Sequence, residues 1–253
     1  MQLSITFDAG GPVVLPVHYA QMIQGLIYRQ LENPALRNYL HEHGFALEKR
    51  RFKLFTFSRL FGSEVHYDKS TKSLLISPPL KLVVCSPVNF IMQELGTGFL
   101  RRGSVRLGNA RLEVAGVTAE TPIVTGDTLV VRMLSPLVAY STLEGVDGRK
   151  YTYYYSPFEP RFEELVAANL FKKHLLIYGR SADPKSFSIR PVKVEDRDLK
   201  VTRYKDTVVK GWMGRYALSG DPLLLQTALD AGMGSKNSQG YGCCILEDTK
   251  TGR

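Results

Sequence analysis

Between Gly232 and Gly242 the chain reads Gly-Met-Gly-Ser-Lys-Asn-Ser-Gln-Gly-Tyr-Gly, and this run limits which folds can carry it. Glycines at 232, 234, 240 and 242 permit positive φ and let one backbone pass close to another, or to a ligand. Asp221-Pro222 opens a helix before the run, because Asp caps and Pro suits the first turn. Leu225, Ala228 and Leu229 recur at helical spacing, and Gly232 falls where a C-terminal cap belongs. Cys243-Cys244-Ile245-Leu246 then reads as a short strand. The order is helix, glycine loop, strand. A dinucleotide fingerprint requires strand, loop, helix. A Walker loop requires Gly-Lys-Ser/Thr where this chain has Gly234-Ser235-Lys236. No nucleotide cofactor is expected. What remains is a phosphate cradle of amides and Lys236, or a tight turn without a ligand.

The charge points to an anionic partner. Lys and Arg number 33 against 24 Asp and Glu, a net charge of +9. The excess is clustered. Lys49, Arg50, Arg51, Lys53 and Arg59 share a stretch with no acid, and Arg101, Arg102, Arg106 and Arg111 form another. Arg190, Lys193, Lys200, Arg203 and Lys205 belong to a third run, broken by Glu195, Asp196 and Asp198. Cys85, Cys243 and Cys244 give neither a disulfide framework nor metal-ligand spacing, so a reducing cytoplasm and no bound metal are expected. The start shows no signal-peptide pattern and no apolar run approaches membrane-spanning length.

Periodicity gives the architecture. Leu3, Ile5 and Phe7 alternate with polar residues as a half-buried strand. Ile23, Leu26, Ile27 and Leu31 make an apolar stripe on a helix over 17–32. Residues 53–60, 64–68, 72–77 and 80–84 read as strands, 87–100 as a helix and 104–117 as a strand or hairpin. After a link over 121–127 the pattern restarts. A strand is expected over 128–140, and a helix over 158–174 with Phe162, Leu165, Val166, Asn169 and Leu170 on one face. Strand segments fill 186–218 before the capped helix and last strand. Each half follows β-α-β-β-α-β, so the expected class is α+β with two tandem ferredoxin-like domains, 1–122 and 123–253. The RNA-binding RRM shares this topology.

Three blocks then resemble a known family. The first is Leu26-Ile-Tyr-Arg-Gln-Leu31 with Tyr39-Leu-His-Glu42 and Lys53-Leu-Phe-Thr-Phe-Ser58. The second is Leu134-Ser-Pro136 with Asn169-Leu-Phe-Lys-Lys173, and the third is the glycine loop. Together they resemble the CRISPR-associated endoribonuclease that cuts repeat RNA, the sixth Cas protein family of the RAMP superfamily. The resemblance implies two ferredoxin-like domains with the glycine loop near RNA. It also implies metal-independent cleavage of repeat RNA to a 2′,3′-cyclic phosphate and a 5′-hydroxyl. The implied partner is CRISPR repeat RNA, precursor and product; membership of a CRISPR effector complex and a homodimer stay open.

Metal-free RNA cleavage needs proton transfer to and from oxygen and positive charge at the phosphorane; histidine and lysine suit these roles. The family histidine falls on His41; His43 lies two residues on, and either could face RNA. Tyr28 and Lys53 match a family tyrosine and lysine. Lys49, Arg50 and Arg51 fill the interval before Lys53 and are alternative sources of charge. In the loop, Gly232, Gly234, Lys236, Asn237, Gly240 and Gly242 are RNA-binding candidates, as are Arg190, Lys193, Lys200 and Arg203 for the RNA backbone. The rival reading is a non-catalytic RNA-binding subunit of the same system, which has no need of the Tyr28/His41/Lys53 block.

Overall fold

Leu3, Ile5 and Phe7 are buried on the strand Gln2–Asp8, as their alternation predicts. The computed structural model describes residues 1–183 and 186–247. This strand pairs antiparallel with Leu80–Cys85 on one side and Ala110–Glu120 on the other. Thr56–Phe57 adds to the outer edge of Leu80–Cys85, and Ser104–Leu107 to the outer edge of Ala110–Glu120, giving a five-stranded sheet. The helices Ala20–Gln30 and Asn89–Arg102 pack their apolar stripes into the same core as the sheet. Each fully buried Phe or Leu there contributes about 1.5–3 kcal/mol of hydrophobic stabilisation. Without the added Ser104–Leu107 strand, this is the ferredoxin-like order.

The second half repeats it. Phe187–Lys193, Arg215–Gly220, Thr128–Met133 and Cys244–Leu246 lie side by side in a four-stranded antiparallel sheet. Helices Pro160–Tyr178 and Pro222–Ala231 share its core through Phe162, Val166, Leu170, Leu224 and Leu225. Asp221 caps the second helix by accepting from the amides of Leu223 and Leu224. Two hairpins are inserted, Tyr140–Glu144 with Lys150–Tyr154 and Leu199–Tyr204 with Thr207–Trp212. The two halves meet through Val83, Cys85, Leu134 and Cys243. Thr56 Oγ1 donates to Tyr241 O across the junction at 2.9 Å.

Two strands are shorter than their sequence pattern. Over 53–60 only Thr56–Phe57 pairs as strand, because Leu54 takes φ +51 and Arg59 donates its amide to Leu134 O instead. Over 128–140 the strand ends at Met133. Beyond it the backbone serves the glycine loop: Leu134 and Ser135 donate to Cys243 O, and Val138 O accepts from Ser235. In both cases non-local partners outcompete regular pairing. The first helix is trimmed to Ala20–Gln30, and 104–117 resolves as a hairpin. Among the described residues no helix is long and apolar enough to cross a membrane.

Candidate active site

Asn33 starts the local structure that carries the histidines. Its side chain accepts from the amides of Ala35 and Leu36, capping the short helix Pro34–Asn38. The chain continues through a wide π-type turn, Tyr39–His43, closed by Gly44 N donating to Tyr39 O. Gly44 has φ +66, and a Cβ there would stand 2.5 Å from Phe52 O. Glycine therefore lets the hairpin Phe45–Leu47/Arg50–Phe52 fold back against the turn. That return sets Lys53 Nζ 2.8 Å from His41 O.

The turn sends its two histidines to different neighbours. The His41 ring meets Tyr28 edge-on at 5.5 Å between centroids, and its Nδ1 donates to Glu42 Oε1 at 2.6 Å. That bond directs Nε2 away from Glu42 and lowers the Glu42 pKa. His43 instead faces Tyr39, at 6.4 Å, and Arg51 Nη1, at 3.5 Å from Nδ1. Both histidines are exposed. Tyr28 packs edge-on against Phe55 at 5.8 Å, and burial pushes its phenol up to about 12. Burial lowers the Lys53 pKa, opposed by Glu42 and aided by Arg51.

Helix Ala20–Gln30 joins this cluster to the glycine loop. Gln24 lies one turn before Tyr28 on the same face. Its Nε2 donates to Ser238 O at 2.6 Å, and its Oε1 accepts from Tyr204.

The loop is tied largely to itself. The amides of Met233, Ser235, Gln239, Gly240 and Gly242 all donate to nearby backbone carbonyls. Asn237 Nδ2 donates to Met233 O and Tyr241 O, and its Oδ1 accepts from Lys173 Nζ at 2.6 Å. Lys173 also donates to Gly232 O and Gly234 O, from a side chain only 2% exposed. The glycines serve close packing: a Cβ would lie 1.9 Å from Met233 O at Gly242, 2.5 Å from Val138 O at Gly234 and 2.7 Å from the Phe57 ring at Gly240. Gly232 is buried against Thr56 and Asn237. The open amide cradle expected from the sequence is thus mostly closed by internal bonds. The half-buried Lys236, with Nζ 5.1 Å from the Tyr140 ring centroid, is the loop's cation.

A groove of about 760 Å³ runs between the hairpin, helix Pro160–Tyr178 and the loop. Arg50, Arg51, Lys53, Lys172 and Lys236 border it; no acid lines it, and Glu48 just outside pairs with Lys172 at 3.3 Å. Lys49 is exposed at the hairpin turn. The remaining basic candidates lie elsewhere. Arg190 borders a hollow on the second sheet, and Lys193 one beside Arg197 and Arg215. Lys200 and Arg203 border a hollow with His18, Tyr67 and Tyr241. His18 Nδ1 accepts from Arg203 N, and His174 is buried beside Thr227 and Tyr178. His66 is exposed on the strand Val65–Asp68. Among the described residues no group of three or more His, Cys, Asp or Glu could hold a metal ion.

Two family profiles match almost end to end: "CRISPR-associated protein Cas6, N-terminal" over residues 14–118 and "CRISPR associated protein Cas6, C-terminal" over 119–246. The chain belongs to the Cas6 family. It is 25% identical over 99% of its length to a CRISPR-associated endoribonuclease Cas6 of Methanocaldococcus jannaschii, covering 94% of that protein. It is 26% identical over 94% of its length to the CRISPR-associated endoribonuclease Cas6 of Pyrococcus furiosus, covering 85% of it. A solved structure titled "CRISPR associated protein Cas6" superposes with a TM-score of 0.79 at 25% identity, over 98% of this chain and 99% of that one. The product of a Cas6-related gene from Pyrococcus furiosus, 18% identical, shares the fold at a TM-score of 0.83, over 99% of both chains.

Within this Cas6 fold, Gln24 and Lys173 position the loop without having been site candidates in the sequence. Gln24 leaves no signal except its spacing from Tyr28. Lys173 does: it continues the stripe Phe162, Val166, Asn169 at helical spacing, so a lysine stands where the pattern calls for a buried residue.

Proposed function

We propose that this protein matures CRISPR RNA as a metal-independent endoribonuclease that cleaves repeat RNA. The observation that supports this most is the convergence of Tyr28, His41 and Lys53, drawn from a helix, a turn and a strand lead-in, beside a basic groove. RNA carries its own nucleophile, the 2′-hydroxyl. Attack on the adjacent phosphorus breaks the bond to the 5′-oxygen and yields a 2′,3′-cyclic phosphate and a 5′-hydroxyl. His41 moves the proton through Nε2, its ring oriented by Glu42. Lys53 stabilises the charge that gathers on the phosphorane. Tyr28, with its pKa pushed up to about 12, stays protonated and serves as a hydrogen-bond donor. Arg50, Arg51, Lys172 and Lys236 hold the strand by its phosphates.

The test is incubation of purified protein with repeat RNA in excess EDTA. The expected products end in a 2′,3′-cyclic phosphate and a 5′-hydroxyl, and a 2′-deoxy nucleotide 5′ of the scissile phosphate blocks cleavage. Cleavage of that deoxy substrate, or activity that EDTA abolishes and a divalent ion restores, would overturn the mechanism.

A further inference from the structure

Three side-chain oxygens are buried without a hydrogen-bond partner among the described residues: Gln30 Oε1, Asn169 Oδ1 and Gln239 Oε1. An unsatisfied buried acceptor is costly, so each one in a folded protein marks local strain, a bound water or a ligand. Gln30 does not border the groove. Its Nε2 donates to Leu26 O within the helix, and its backbone is pressed against Gly98. The other two fall together. Asn169 and Gln239 both border the basic groove, one from helix Pro160–Tyr178 and the other from the glycine loop. Asn169 is 7% exposed, so its carboxamide is withdrawn from bulk water at the base of the groove.

The neighbours of this pair match one kind of ligand. Lys236 borders the same groove and supplies charge for a phosphate, beside Lys172, whose ammonium pairs with Glu48 at 3.3 Å. Each carboxamide offers a donor and an acceptor side by side, the pattern that Asn and Gln use against a base edge. An unstacked base of single-stranded RNA exposes such an edge, with adjacent donor and acceptor groups. A free phosphate would satisfy the lysines and leave both carboxamide oxygens unpaired, since it carries no N–H donor at neutral pH.

We infer that Asn169 and Gln239 form a base-reading subsite: one nucleotide of the RNA enters between the helix and the loop, and the two carboxamides hydrogen-bond the edge of its base. The inference rests on the RNA-cleaving reading and adds a sequence-specificity element to it. Lys173 contributes by fixing the loop that carries Gln239.

The test is binding, so that its outcome is separate from cleavage. Repeat RNAs carrying each single-base substitution, blocked by a 2′-deoxy nucleotide at the scissile position, are titrated against wild type, Asn169→Ala, Gln239→Ala and the near-isosteric Gln239→Met. Wild type is expected to lose about tenfold or more in affinity for substitutions at one position, the scale of one well-made base contact. Each variant is expected to lose that preference while binding the other substituted RNAs like wild type. Thermal melting supplies the second readout. Removing an unsatisfied amide leaves the melting temperature of Gln239→Met unchanged or raised. Loss of melting temperature with the base preference intact would mean that the amides serve the fold through water, and the inference falls. It falls equally if wild type discriminates at no position. Cleavage of the unblocked repeat by all four proteins, with discrimination unaltered, would leave the nuclease reading standing without the subsite.

Discussion

Lys173 donates its ammonium to Asn237 Oδ1 at 2.6 Å, linking the long helix of the second domain to the glycine loop. The same Nζ reaches Gly232 O and Gly234 O, so one buried side chain holds three points of the loop. Replacing it with methionine leaves three carbonyl acceptors uncompensated. Lys173→Met is expected to cost roughly 2–4 kcal/mol of unfolding free energy, on the scale of one or two orphaned buried acceptors. Urea denaturation measures it; a loss below the error of that method would show that the brace is not holding the loop.

Burial lowers the Lys173 pKa from 10.5 to about 7. Between those values the unfolded chain holds a proton that the folded chain releases, so this group makes stability rise with pH over that window. The stability difference between wild type and Lys173→Met is expected to grow in favour of wild type from pH 7 toward pH 10. A difference that shrinks over the range would mean that the folded Lys173 holds its proton more tightly than the unfolded one.

His41 and His43 are two residues apart and face opposite groups. His41→Ala is expected to slow single-turnover cleavage by about 10²-fold or more, with RNA affinity little changed. His43→Ala, whose ring sits by Tyr39 and Arg51, should act mainly on binding. Rapid-quench kinetics at saturating protein separates the two effects; a dead His43→Ala beside an active His41→Ala would exchange their roles.

Tyr28 keeps its proton up to about pH 12. Tyr28→Phe should lower the cleavage rate by about tenfold, as loss of one hydrogen bond to a charged transition state does. The shape of the pH–rate profile between pH 6 and 10 should stay the same. An alkaline limb that disappears in the variant would assign the titration to Tyr28 and contradict its raised pKa.

Two glycines with similar φ separate strain from crowding. Gly103 has φ +62 and open space around it, whereas at Gly242, φ +74, a Cβ would stand 1.9 Å from Met233 O. Gly103→Ala should cost about 1 kcal/mol, the left-handed penalty alone. Gly242→Ala should cost more than about 3 kcal/mol, because the loop must open to admit the methyl. Equal melting temperatures for the two variants would mean that the loop yields freely.

The sequence by itself determined the β-α-β-β-α-β order of each half, the Asp221 cap and the helix–loop–strand run at the glycines. These features depend on contacts within a few residues: alternation, helical stripes, caps and the freedom of glycine. It also pointed to Tyr28, His41 and Lys53, through a family resemblance and not through periodicity. Tertiary structure decided what such local signals do not carry. The strands at 53–60 and 128–140 stop early because their backbone groups bond partners distant in sequence, Leu134 for Arg59 and the glycine loop for Leu134–Val138. The resemblance favours His41 while either His41 or His43 could face RNA from the chain alone; the wide turn closed by Gly44 sets the His41 ring against Tyr28 and the His43 ring beside Arg51. The loop reads as an exposed phosphate cradle until its amides and Asn237 are seen bonded inward. Helical spacing puts Lys173 on the buried face of its helix, but only the fold supplies the three oxygens it bonds, since desolvation and hydrogen-bond partners are set by neighbours that the linear sequence does not place.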